Sequence, residues 1–225
     1  RAHGAPLSPD RPGIRVAGRT GVPLVVRTLT LRAALLVTTY VATAQGDVAL
    51  AAHQIAFTVW TFLVFALDAL AIAAQAMTGK FLGAADVEGT RRVTRRLMWW
   101  GVVSGVAFAV VLLAASPVLG RLFTADTRVH ELLAVVLVVA AVQQPVSGVV
   151  FVLDGVLIGA GDGVYLAWAG VVTLVCFTPL ALAVLWAGGG LVWLWVAFGG
   201  FMLARLATLV LRERSPAWVV TGAAR

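Results

Sequence analysis

Apolar residues run along this chain in six long stretches, separated by short polar or glycine-containing breaks. About 20 apolar residues, rising as a helix at about 1.5 Å each, cross a hydrocarbon layer about 30 Å thick. The pattern predicts helices over about 23–45, 50–82, 97–119, 132–158, 164–187 and 191–211. Pro23 suits a first helical turn, where its missing N–H costs nothing. Gly46–Asp47, Gly159–Gly163 and Gly188–Gly190 read as turns. The second stretch would extend about 50 Å, so it must tilt, break or project beyond the lipid. Gly83–Arg96 is expected as the one strongly charged loop, and Pro145 and Pro179 as kinks. The expected fold class is all-α: a polytopic membrane protein whose six transmembrane helices form one bundle over residues 23–214.

Composition agrees. The chain is 61% hydrophobic and 12% charged, with mean hydropathy +0.98, where a soluble domain carries about 25% charge. Net charge is +7, but the basic residues gather at one set of helix ends. Twelve lie there (Arg1, Arg11, Arg15, Arg19, Lys80, Arg91, Arg92, Arg95, Arg96, Arg212, Arg214 and Arg225), against Arg121 and Arg128 opposite. Such asymmetry marks the cytoplasmic side of a plasma-membrane protein, with both termini cytoplasmic. It argues for topology rather than nucleic-acid binding. Trp186, Trp193 and Trp195 are expected at the other interface. Residues 1–22, polar and carrying Pro6, Pro9 and Pro12, read as a cytoplasmic linker, and 215–225 as a cytoplasmic tail. A start on Arg1 rather than Met suggests the later part of a longer protein.

Cys176 is the single cysteine, so no disulfide forms within the chain, and it reads as a small packing residue. His53 is expected at the interface, and His3 and His130 in loops. No metal-ligand spacing, Ser–His–Asp order, phosphate loop or HExxH is present, which speaks against an enzyme and against a cofactor other than a coupling ion.

Charge inside the membrane costs roughly 2.5–3.5 kcal/mol per residue on insertion scales, so it needs a reason. Gln54, Thr61, Asp68 and Gln75 recur every seven residues on the second helix and share a stripe. Asp68 is 12 residues before Lys80, about 18 Å along the helix and so near mid-depth. The stripe reads as a cavity wall with a titratable carboxylate, or as a polar seam between helices. On the fourth helix Gln143, Ser147 and Asp154 share a face, with Gln144 and Pro145 beside it; breaks of this kind mark substrate-lining helices in transporters. Arg32, Asp154 and Arg205 fall at similar depths and are expected to form a structural ion-pair cluster. Asp68 would then have no cation of its own and could take up H⁺ or Na⁺.

At these residues the sequence resembles the multidrug and toxic compound extrusion (MATE) family, in its DinF-like branch. The resemblance rests on Leu50–Asp86 (LAAHQIAFTVWTFLVFALDALAIAAQAMTGKFLGAAD), Gln144–Asp162 (QPVSGVVFVLDGVLIGAGD) and Trp193–Arg212 (WLWVAFGGFMLARLATLVLR). It implies the C-terminal six-helix bundle of a twelve-helix transporter, whose partner is the N-terminal bundle. It also implies antiport of amphipathic cationic small molecules against H⁺ or Na⁺, by rocking of the two bundles. The glutamate that the NorM-like branch carries on the first helix of this bundle has no counterpart in Pro23–Gln45. A flippase for lipid-linked saccharides, in the same superfamily, would need a strongly cationic cavity. A non-transporting scaffold would be indifferent to Asp68→Asn.

Overall fold

The computed structural model describes residues 11–221, with side chains described at 18 and from 21 onward. His3 and the first ten residues of the expected linker lie outside that range. Among the described residues there are seven helices: α1 Arg11–Ala44, α2 Asp47–Gly83, α3 Val87–Phe123, α4 Thr127–Val142, α5 Gln144–Gly159, α6 Gly163–Trp186 and α7 Gly190–Arg214. Five are long and apolar enough to span a bilayer, and α4 with α5, bent by 49° at their junction, is long and apolar enough for a sixth when taken as one span.

The break follows from Gln143-Gln144-Pro145. Pro145 occupies the first turn of α5, where no amide donor is required. Gln143, between the helices, is held by its Nε2 donating to the Trp195 carbonyl at 2.8 Å. Its own carbonyl accepts from Ser147 Oγ at 3.0 Å. Pro179 behaves differently: α6 continues through it without a break.

Two helices begin ten or more residues before their apolar stretches do. α1 starts at Arg11, so Pro23 lies inside it rather than in its first turn, and residues 11–22 are helical. α3 starts at Val87, so the arginines expected in a charged loop stand on helix. Asp86 makes that start, accepting from Gly89 N at 2.7 Å as an N-cap. The α2–α3 corner is therefore short. Ala85 adopts a left-handed φ of 57°, and Asp86 N closes back on Phe81 O at 2.9 Å. α5 ends in the same kind of turn, with Gly161 at φ 73° and Asp162 N on Leu157 O at 2.9 Å.

α5 is the central element. Eleven of its 16 residues are buried, as expected of a helix apolar all round. Its glycines let neighbours approach to backbone contact, the small-residue packing that substitutes for a hydrophobic drive within lipid. Gly148 meets Gly101 of α3, while Gly155 and Gly159 meet the carbonyls of Ala71 and Gln75 of α2. A methyl placed at Gly101 would stand 2.7 Å from the Gly148 carbonyl. α1 packs on α6, and α6 on α7. At the basic end Arg212 of α7 pairs with Asp162 through Nε at 2.6 Å and lies over the Tyr165 ring at 4.7 Å. After α7 the chain folds back and buries Trp218, whose Nε1 donates to the Glu213 carbonyl at 2.8 Å; this part of the expected tail is packed against the bundle.

Candidate functional site

Asp154 sits on the central helix, 3% exposed. A carboxylate so placed needs cations, and two reach the same oxygen. Arg27 Nη2 of α1 donates to Oδ2 at 2.8 Å, and Arg205 Nη2 of α7 donates to the same atom. Arg205 also lies over the Phe201 ring, 5.9 Å from its centroid, which lends a buried guanidinium further support. Three helices are thus tied at one point. Arg32, expected in this cluster, is not among the partners of Asp154; it is exposed, and its place is taken by Arg27. Arg27 is four residues after Pro23, so a helix starting at Pro23 puts it at the surface. With α1 starting at Arg11, Arg27 lies about 24 Å along the helix from its first residue rather than in its opening turns, and the helical continuation past Pro23 was the missing signal.

The cluster forms one end of a cavity of about 320 Å³ between α1, α2, α5 and α7. Thr61 and Asp68 of α2 lie on its wall, with Arg27, Arg32, Asp154 and Arg205. Asp68 is half-buried and within electrostatic reach of Arg27 and Asp154, so it has a cation nearby, contrary to the sequence expectation. Thr61 Oγ1 is buried without a hydrogen-bond partner. The rest of the wall is largely aromatic. Trp60 meets Phe198 edge-on at 5.3 Å, and Phe198 stacks with Phe201 at 5.8 Å. On the α1–α2 side, Arg32 and Phe65 open the cavity to the surroundings.

Gln54 and Gln75 are exposed and do not line this cavity. A seven-residue repeat drifts about 20° per heptad on a straight helix, so four such positions fan over about 60°. Only the middle two meet the cavity. The fourth-helix face is also elsewhere. Gln144 and Ser147 are fully buried between helices, with Gln144 Nε2 donating to the Ala140 carbonyl at 3.2 Å. Gln143 borders a separate apolar groove of about 750 Å³ between α4, α6 and α7.

Three further expectations are corrected. His53 is 1% exposed rather than interfacial, stacked on Phe57 at 5.8 Å and facing Thr39 Oγ1 at 3.4 Å. Trp195 is 1% exposed and belongs to the core, while Trp186 and Trp193 are exposed. Cys176 is exposed on the surface of α6 rather than packed inside.

The MatE family model matches residues 23–186. The chain belongs to the MatE family. "Protein DETOXIFICATION 45, chloroplastic" from Arabidopsis thaliana is 31% identical over 209 residues, covering 89% of this chain and 36% of the relative. "DNA damage-inducible protein F" from Escherichia coli is 28% identical over 188 residues, covering 81% of this chain and 41% of that one. Among solved structures, an "outward-facing conformation of a multidrug resistance MATE family transporter of the MOP superfamily" superposes with TM-score 0.82 at 20% identity. That match covers 91% of this chain and 46% of the other. The chain thus spans less than half the length of these MatE relatives, and the matched part is their C-terminal half. It has the fold of a multi-pass membrane transporter.

Proposed function

We propose that this chain is the C-terminal half of a cation-coupled antiporter that exports amphipathic drugs and xenobiotics across the plasma membrane. The observation that carries the reading is the cavity. In a MatE chain, an ionisable carboxylate, Asp68, stands midway along α2 on a wall that carries six aromatic side chains and is open on the α1–α2 side. Aromatic faces bind flat apolar bodies, and cations over such faces gain further attraction. Asp68 carries the coupling ion, H⁺ or Na⁺, and releases it when an organic cation arrives. The Arg27–Asp154–Arg205 cluster holds the helices around it. An N-terminal bundle completes the cavity, and both termini face the cytoplasm.

One observation favours a second reading. Arg27, Arg32 and Arg205 outnumber Asp68 and Asp154 on the wall, which suits an anionic amphipath, lipid-linked pyrophosphate saccharides included. Substrate charge separates the two. In membrane vesicles carrying the two-bundle transporter, export of a cationic and an anionic dye is measured for wild type, Asp68→Asn and Arg32→Gln. The first reading expects cationic-dye export that Asp68→Asn abolishes. Anionic-dye export, lost in Arg32→Gln and kept in Asp68→Asn, overturns it in favour of the second.

A further inference from the structure

The corner between α2 and α3 carries a feature that the transport cavity does not use. Because α3 begins at Val87, Arg91, Arg92, Arg95 and Arg96 stand on two successive helical turns rather than in a loose loop. Arg92 and Arg96, one turn apart, border a groove of about 460 Å³ together with Met77 and Phe81 from the end of α2. Trp100, one further turn along α3 and about 6 Å deeper, continues the same wall and is 49% exposed. The groove is basic at its outer edge and apolar below.

Carboxylates nearby do not neutralise that edge. Asp86, also on the groove, accepts from Gly89 N in capping α3. Glu88 pairs with Arg92 at 2.9 Å, but both side chains are largely exposed, at 87% and 70%, where such a pair is weak and readily exchanged. Arg96 has no acidic partner among the described residues. From 86 to 96, four arginines face two carboxylates.

We propose that this groove is a binding site for one anionic phospholipid of the leaflet on the basic side, its phosphate between Arg92 and Arg96 and an acyl chain along Met77 and Trp100. Charge and depth both fit. Guanidinium forks suit phosphate oxygens, an exposed tryptophan one turn inward suits the headgroup–acyl boundary, and the floor suits a chain rather than water. A free phosphate would leave that floor unused.

The test is native mass spectrometry of the full chain released from mixed phosphatidylglycerol and phosphatidylcholine nanodiscs. The chain is expected to retain one phosphatidylglycerol in preference to phosphatidylcholine. At about 1 kcal/mol per basic residue near the surface, removing two arginines weakens retention on the order of thirtyfold, so Arg92→Gln/Arg96→Gln loses the adduct. Arg91→Gln/Arg95→Gln removes the same charge outside the groove, and it keeps the adduct. Equal loss in both pairs, or in neither, overturns the site, as does equal retention of phosphatidylcholine. Displacement of the lipid by millimolar inorganic phosphate also overturns it, because the acyl contacts would then contribute nothing.

Discussion

Asp154→Asn should unfold the bundle before it affects transport. Asparagine keeps the shape of the aspartate and one acceptor oxygen, but removes the charge that two guanidinium groups share. The side chains of Arg27 and Arg205 are only 19% and 10% exposed, so neither can recover full hydration. Removing one partner of a buried ion pair costs about 3–5 kcal/mol, and the lower end applies because Arg27 also borders the cavity. At about 2–4 °C per kcal/mol for a chain of this size, the melting temperature falls by on the order of 10 °C. Heating detergent-solubilised protein and following the surviving monodisperse fraction by fluorescence-detected size exclusion reads this directly. Asp68→Asn removes the same charge from a half-buried position and should cost only about 0–1 kcal/mol. A second change, Arg205→Met on the Asp154→Asn background, removes one orphaned cation and should recover part of the loss. Wild-type melting of Asp154→Asn, with expression unchanged, would refute the structural role of the cluster.

Other outcomes follow from the packing. Gly155→Ala forces a methyl against the Ala71 carbonyl and should cost about 1–3 kcal/mol. Gly83→Ala meets nothing within 4 Å and should be close to neutral in the same melting assay. Cys176, exposed midway along α6, should resist a charged maleimide in intact membranes and react once the chain is unfolded in detergent; rapid labelling in membranes would mean that water reaches that face.

The spans were legible because lipid imposes one strong rule, an apolar run long enough to cross. The break at Pro145 was legible for a local reason, since proline cannot donate within a helix. Helix starts were not. Hydropathy reports where lipid contact begins, whereas α3 begins where Asp86 caps it, and α1 runs on past Pro23. That error concealed Arg27 and left Arg32 as the apparent partner of Asp154. Depth alone brought Asp154 and Arg205 together, because residues at one level on neighbouring helices can meet. Rotation about a helix axis was harder to read. Gln54 and Gln75 share a repeat with Asp68 yet drift off the cavity, and His53 and Trp195 near a helix end face the core rather than the interface.

The central claim, that this chain is half of an exporter working through Asp68, is tested most directly in efflux-deficient bacteria by accumulation of a fluorescent cationic dye. The chain is expressed alone, with a DinF-like N-terminal bundle, and with that bundle plus Asp68→Asn. Dye should fall only with the partner bundle present, and Asp68→Asn should abolish the fall at equal protein level in the membrane. Unchanged dye in every combination, with folded protein in the membrane, would contradict the claim.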